Sequence, residues 1–336
     1  MGDKDLRCLL LHRTFVTVAK MSRIAPVVTL FCVFGSSGIS QAPSKGAAAT
    51  QVVLLGTGTP LPDPERFGPC TAIVVNGTPY LVDFGPGLVR RASAAYEKGV
   101  LGLQVKNLKI GFLTHLHVDH TMGFPDVLFT PWIMGRTDPL EVYGPRGTRS
   151  MAEHIEKAYQ EDTKIRTESL EHSNTTGYKV NVHEIKPGIV HQDGNATVNA
   201  FAVRHGDWAK AYGYRFESQD RTVVISGDTS PTPAIVENCN GCDVLIHEVY
   251  TQSSFGKISQ QWQAYRSAYH TSSKELAVIA NRAKPALLIL YHRGNAGCDQ
   301  AGTKECKDAG REEQLLKEIR QVYAGRVVAG HDLDIY

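Results

Sequence analysis

Between residues 114 and 120 the chain reads Thr-His-Leu-His-Val-Asp-His, directly after the apolar strand pattern Lys109 to Thr114. Three imidazoles and a carboxylate crowded at the end of one strand restrict what the chain can fold into. A buried polar group without a partner costs about 1–3 kcal/mol, so the cluster must be solvated or jointly bound. Neutral imidazole and carboxylate are the ligands zinc takes when no thiolate is offered. The spacing suits two ions. His115 and His117, two positions apart, can face one, while Asp119 and His120, at the next turn and near a helix N-terminus, can face another. That helix end favours the ionised form of Asp119.

The rest of the chain supplies a rim for such a site. Strand patterns run over Gln51 to Leu55, Thr71 to Val75 and Tyr80 to Phe84, the last two joined by the hairpin signal Asn76-Gly77. Gly56-Thr57-Gly58-Thr59-Pro60 reads as a tight turn beside a site, because no Lys-Ser/Thr follows to make it a phosphate loop. Helices are expected over Leu88 to Lys98, Phe124 to Phe129, Arg149 to Asp162 and Ser273 to Ala283. Further strands are Leu140 to Tyr143, Thr197 to Arg204, Tyr212 to Glu217, Thr222 to Ser226, Asp243 to Glu248 and Ala286 to Tyr291. Strands first, helices between and after, in two similar halves, suit an α/β sandwich of two mixed β-sheets flanked by helices. Asp83, in Val82-Asp83-Phe84-Gly85, is a candidate acceptor for orienting a ligand histidine.

The string His115-x-His117-x-Asp119-His120 resembles the signature of the metallo-β-lactamase superfamily, whose fold is a four-layer αββα sandwich. The resemblance extends over about residues 52–335 and implies the rest of a ligand set for two zinc ions, other divalent transition metals being allowed. His205 follows a strand and precedes Gly213-Tyr214-Arg215, as in the ribonuclease Z-like branch. Asp228, in Ser226-Gly227-Asp228-Thr229, matches the carboxylate that bridges the metals, and His292, closing Leu287 to Tyr291, matches the last ligand. His247-Glu248 and His270-Thr271-Ser272 resemble two further motifs of that branch. They imply His270 as the proton donor, Glu248 as its carboxylate partner and Asp119 as the group that orients the attacking water. Ser272 and Glu275 make a capping-box pattern that fixes the chain at His270. The strings GTGTPLPDPERFGP, GFPDVLFTPW and PLEVYGPRGT are most similar to arylsulfatase-like members of the fold.

Residues 1–42 read as a leader. Lys20 and Arg23 flank Met21, a candidate for the true start, the apolar run Ile24 to Gly35 follows, and small residues end at Ser40-Gln41-Ala42. Residues 43–50 then form a soft linker and 51–336 a single hydrolase domain, exported to the periplasm or secreted and without a stable membrane span after processing. In an oxidising compartment Cys239–Cys242 and Cys298–Cys306 can each close a short loop, which leaves Cys70 unassigned.

The formal net charge of the whole chain is +2. Removing Lys4, Arg7, Arg13, Lys20 and Arg23 together with Asp3 and Asp5 takes away three positive charges net and leaves −1. That is a poor footprint for a polyanion binder. Only Phe216 to Ile225 separates the Gly-Tyr-Arg and Ser-Gly-Asp-Thr motifs, where ribonuclease Z enzymes usually carry a tRNA-gripping arm. The expectation from sequence is therefore a metal-dependent hydrolase of small aryl sulfate esters, with Trp132, Trp208 and Phe129 as candidates to line an aryl pocket. The alternative is a phosphodiesterase or a ribonuclease Z-type 3′ tRNA-processing endonuclease. Nucleic acid is not expected as a partner, and a homo-oligomer is compatible with the sequence.

Overall fold

Strands that are apolar at successive positions need cover on both faces, and two sheets packed back to back supply it. The computed structural model describes residues 50–294 and 309–336. The expected leader over 1–42, linker residues 43–49 and the Cys298–Cys306 pair lie outside the described residues. Among the described residues no helix is long and apolar enough to cross a membrane.

The first sheet holds six strands in chain order: β1 (Thr50–Gly56), β2 (Cys70–Val75), β3 (Thr78–Val82), β4 (Ile110–Phe112), β5 (Leu140–Gly144) and β6 (Val180–Glu184). Its first two pairings are antiparallel and its last three parallel. Its helices are α1 (Leu88–Glu97), α2 (Val118–Thr121), α3 (Phe124–Ile133), α4 (Thr148–Ala158) and α5 (Gln160–Glu168). The second sheet holds β7 (Gly188–Gln192), β8 (Thr197–Ala202), β9 (Tyr212–Glu217), β10 (Thr222–Ile225), β11 (Val244–Tyr250), β12 (Leu287–Gly294) and β13 (Val327–Ala329), again in chain order across the sheet. Antiparallel pairing from β7 to β10 gives way to parallel pairing from β10 to β13. Its helices are α6 (Pro233–Cys239), α7 (Gln252–Phe255), α8 (Gln260–Tyr269), α9 (Ser273–Ala283) and α10 (Ala309–Arg320).

Alternation along each strand sorts the core into layers. Val52, Leu54, Tyr80 and Val82 meet Tyr214, Val223, Ile246 and Ile289 between the sheets. Val53, Leu55 and Leu81 point the other way, onto Leu88, Val89 and Ala92 of α1 and Phe124, Val127 and Leu128 of α3. Val224, Leu245, Leu288 and Leu290 likewise pack under Ile235, Leu276, Ala280 and Ile319. The result is the expected four-layer αββα sandwich.

Differences from the sequence reading have local causes. The helix expected over Arg149 to Asp162 is two helices, broken at Tyr159 (φ −104°, ψ 13°), whose ring packs on Phe129. Strands β6 and β7 escaped the alternation pattern because both are sheet edges carrying polar residues on exposed positions. The strand placed from residue 51 begins at Thr50, whose hydroxyl bonds the Asp220 carboxylate. Cys239 and Cys242 are joined in a disulfide at the end of α6, and Cys70 is free and buried.

One buried cation holds the first helical layer. Pro131 sits inside α3 and cannot donate to the carbonyl of Val127. Arg136 replaces the missing donor (Nη1–O 3.0 Å) and also donates to the carbonyls of Leu108 (2.7 Å), Leu128 (2.6 Å) and Gly177 (2.9 Å). Burial draws its pKa down to about 10, still high enough to keep the charge at neutral pH. Arg136→Met leaves these buried carbonyls short of donors at about 1–3 kcal/mol each. The expected loss of unfolding free energy in urea titration is about 3 kcal/mol or more, and a loss below about 1 kcal/mol contradicts this role.

Candidate metal centre

All seven expected ligands gather on one rim, in the segments that follow β4, β8 and β10, in α2 and at a bulge within β12. Beyond β4 the chain runs through Leu113 to His117, tied to the first sheet by Leu113 N–H to the Tyr143 carbonyl (2.8 Å) and to the second by Tyr212 N–H to the Thr114 carbonyl (2.9 Å). His117 precedes the short helix α2, which carries Asp119 and His120. His205 lies past β8, and Asp228 past β10. Between Ser226 and Asp228, Gly227 (φ +60°) admits no side chain: a Cβ would come within 2.9 Å of the Thr114 side chain. His292 reaches the rim differently. Glu248 pairs with Tyr291 and Val249 with Arg293, so His292 is the extra residue of a β-bulge, with φ 42°. A bulge re-aims a side chain that simple alternation would have turned toward the helices.

Asp83 (φ 63°) sits behind these residues. Its carboxylate accepts from the Thr114 N–H (2.8 Å), the Thr114 hydroxyl (2.9 Å) and His120 Nδ1 (2.8 Å), as expected for a residue that orients a ligand. With the His120 proton on Nδ1, the Nε2 lone pair faces the rim. The Thr114 hydroxyl gives its proton to Asp83 and accepts from His115 Nδ1 (3.0 Å), and His205 Nδ1 donates to the Tyr269 carbonyl (2.8 Å). Both rings therefore also present Nε2 lone pairs inward.

Those inward atoms form two groups, His115, His117, His205 and Asp228 in one and Asp119, His120 and His292 in the other, each within 4.8 Å. His117 Nδ1 lies 2.9 Å from His115 Nε2 and 3.1 Å from His205 Nε2. In the second group His292 Nε2 lies 3.3 Å from His120 Nε2 and 3.1 Å from Asp119 Oδ2. Asp228 spans the pair, with Oδ1 3.6 Å from His120 and Oδ2 4.0 Å from His205. Its Oδ1 and His292 Nδ1 are buried without a hydrogen-bond partner. Converging lone pairs and orphaned buried donor atoms fit bound cations, and the all-N/O donor set suits zinc, iron or manganese.

The electrostatics agree. Burial pulls His115 and His117 below the usual imidazole range and His205 down to about 4. Burial acts the same way on His120 and His292, yet both are raised, His120 chiefly by Asp119 and Asp83, and His292 chiefly by Asp228 and Asp119. Asp228 is held well below the carboxylate range, its burial outweighed by His292 and His120. Carboxylates that stay ionised in a buried site make a well for positive charge.

His270 closes the rim, its Nδ1 4.0 Å from Asp228 and 3.4 Å from Glu248. The expected capping box is present: Ser272 and Glu275 exchange hydrogen bonds and start α9 directly after the His270 turn. Glu248 Oε1 accepts from the backbone of Thr271 (2.9 Å) and Thr229 (3.3 Å), which leaves Oε2 toward His270. Burial drives His270 down to about 3 and, together with the charge of Asp228, pushes Glu248 well up, so enclosure disfavours the charged form of both groups. His247 lies on the opposite face of β11, its Nδ1 bonded to the Glu248 carbonyl (2.6 Å).

The aromatic expectations are corrected in part. Phe129 and Trp132 are buried in the first helical layer. Trp208 is at the site, but its indole N–H bonds His117 Nε2 (2.7 Å). The pocket over the centre, about 250 Å³, is walled instead by Trp262, Tyr265 and the Thr59–Leu61 turn. Sequence reading missed both rings because α8 lacks an apolar stripe strong enough to register as a helix. Their spacing of three residues was the available signal.

The profile of the Beta-lactamase superfamily domain matches residues 78–293. A protein named Ribonuclease Z from Mycobacterium bovis is 33% identical over 287 residues, covering 84% of this chain and 96% of that one. A Mycobacterium marinum protein of the same name is 32% identical over 286 residues, with equal coverage. Among solved structures, the metallo-beta-lactamase fold protein YhfI from Bacillus subtilis superposes with a TM-score of 0.63 at 18% identity, over 85% of this chain and 98% of that one. The short form of human tRNase Z gives 0.61 at 21%, again over 85% and 98%.

These likenesses overturn the expectation that nucleic acid is not a partner, since relatives spanning the domain are named for a ribonuclease. The missing arm does not separate them from this chain: an alignment of 287 residues over 84% of it leaves no room for an insertion of tens of residues. Net charge averages over surface that never meets a substrate. The arylsulfatase likeness gains no support from these relatives.

Two variants test the centre. Asp228→Ala is expected to lose at least one of two metal ions per chain by elemental analysis. Asp83→Asn should keep the fold and weaken metal binding about 10–100-fold in chelator competition. Wild-type metal retention in both contradicts the assignment.

Proposed function

The chain belongs to the metallo-β-lactamase superfamily, and from that premise we propose that it is a zinc-dependent phosphodiesterase of the ribonuclease Z type, cleaving RNA at the 3′ side of tRNA precursors. The observation that carries the reading is the pairing of two donor groups through Asp228 with a proton relay, His270–Glu248, beside it. Similarity over 84% of this chain to a protein named Ribonuclease Z supports the choice of ester.

His115, His117, His205 and Asp228 would hold one divalent ion and Asp119, His120 and His292 a second, which when bound would supply Lewis acidity and an activated water. The protein's own groups do the rest. Asp119, ionised beside His120 and His292, accepts a hydrogen bond from the attacking water and fixes its approach. His270 turns Nδ1 toward Glu248, which leaves Nε2 as the nitrogen available to the pocket. A proton given from Nε2 to the departing oxygen is replaced at Nδ1 by the Glu248 proton, so the relay starts neutral and adds no charge to a buried site. The backbone donors on Oε1 stabilise the carboxylate left behind.

A 3′-extended tRNA precursor should be cut by the zinc-loaded protein with a kcat/KM above that for 4-nitrophenyl sulfate; the reverse order sinks the phosphodiesterase reading. His270→Ala should keep both metals and lose about 10²–10⁴ in rate on RNA, with a far smaller loss on bis(4-nitrophenyl) phosphate, whose leaving group needs no proton. Equal losses on both contradict the relay.

A further inference from the structure

The pocket beside the metal centre has one wall that the hydrolytic machinery does not use. Helix α8 opens with Ser259, whose side chain accepts from the Trp262 N–H and so fixes the first turn. Trp262, Tyr265 and Tyr269 then recur at helical spacing and form a continuous ladder. The rings of Trp262 and Tyr265 meet edge to face at 5.4 Å, and those of Tyr265 and Tyr269 stack at 4.4 Å. The foot of the ladder is bonded into the centre: the Tyr269 carbonyl accepts from His205, and the Tyr265 ring lies 5.7 Å from that of His270. The top is open. Trp262 is 41% exposed at the pocket mouth, a costly place for an indole with nothing to cover.

Facing this wall is the Thr59–Leu61 turn, whose base is pinned by Asp332, which accepts from the Thr57 and Phe67 N–H groups (2.9 and 2.8 Å). A second cleft continues past Val118 and Asp119 toward Met122 and shares this turn with the first. The two clefts share Thr59, Pro60, Leu61, Val118 and Asp119, so space continues beyond the pocket that holds Trp262 and leaves room for an extended substrate.

We propose that Trp262 and Tyr265 form a stacking subsite for the nucleobase next to the scissile phosphodiester. The proposal rests on the phosphodiesterase reading and deepens it by naming how the substrate is gripped. Base-on-aromatic stacking tolerates any base and works beside a local cation such as Arg266 in the pocket lining, so it does not require a basic excess over the whole chain. The ladder couples the two events: a base seated on Trp262 sits on the same rigid helix that ends at His270, the proton donor.

The test is calorimetric binding to the zinc-loaded protein, with no turnover required. Adenosine 5′-monophosphate is expected to bind roughly 5–100-fold more tightly than ribose 5-phosphate, the gain of one stacked base. Trp262→Ala should erase that gain and leave ribose 5-phosphate affinity unchanged, and Trp262→Phe should restore most of it. Phenyl phosphate separates the sources. If it loses affinity in step with the nucleotide or not at all, the nucleobase subsite stands; if it alone loses affinity, the wall serves aryl esters and the proposal is overturned. Equal binding of adenosine monophosphate and ribose 5-phosphate by the wild type also overturns it. A protein that stacks the nucleotide yet cuts no phosphodiester keeps the subsite and fails the activity. One that cuts RNA while Trp262→Ala changes no affinity does the opposite.

Discussion

Asp83 is the group on which the centre depends. One buried carboxylate holds the Thr114 backbone and hydroxyl on one side and His120 Nδ1 on the other, so it joins both ends of the histidine-rich segment. Through Thr114 it also sets the proton on His115. Two of the inward-facing imidazoles thus take their orientation and tautomer from one residue of the neighbouring strand. The left-handed backbone of Asp83, like that of His292, is strain of order 1–3 kcal/mol, and the surrounding sheets must over-determine both positions for it to persist.

The sandwich exists to bring distant strand ends to that carboxylate. His115 and Asp228 come from different sheets, and the inter-sheet layer fixes how those sheets face each other. The bulge at His292 and the bare backbone of Gly227 are the two local departures that aim side chains inward. Beyond the ligands, His270 and Glu248 are held by secondary structure rather than by side-chain partners alone. The ends of α8 and β11 and the cap of α9 enclose both, and that burial disfavours their charged forms.

Much of this was legible in the sequence, and the reasons are specific. The spacing of His115, His117, Asp119 and His120 marked one cluster directly, whereas His205, Asp228 and His292 came from the family resemblance; the structure gathers all seven into two groups, and Asp83 bonds a ligand histidine as its reading required. The capping box of Ser272 and Glu275 was legible because it is a local hydrogen-bond exchange. The depth at which His270 and Glu248 are enclosed was not, because burial is a property of the assembled layers. Strands β6 and β7 were hidden by polar edges, and Arg136 by the fact that its partners are carbonyls far apart in the chain. Whole-chain charge was a poor guide to nucleic acid because it sums over surface far from the pocket, whose lining combines Arg266 with Trp262 and Tyr265.

The most direct test is anomalous diffraction from crystals of the zinc-loaded protein. The account predicts two peaks about 3.5–4 Å apart, one beside His115, His117 and His205, the other beside Asp119, His120 and His292, with one oxygen of Asp228 on each. A single ion, or two ions that do not share Asp228, would contradict it.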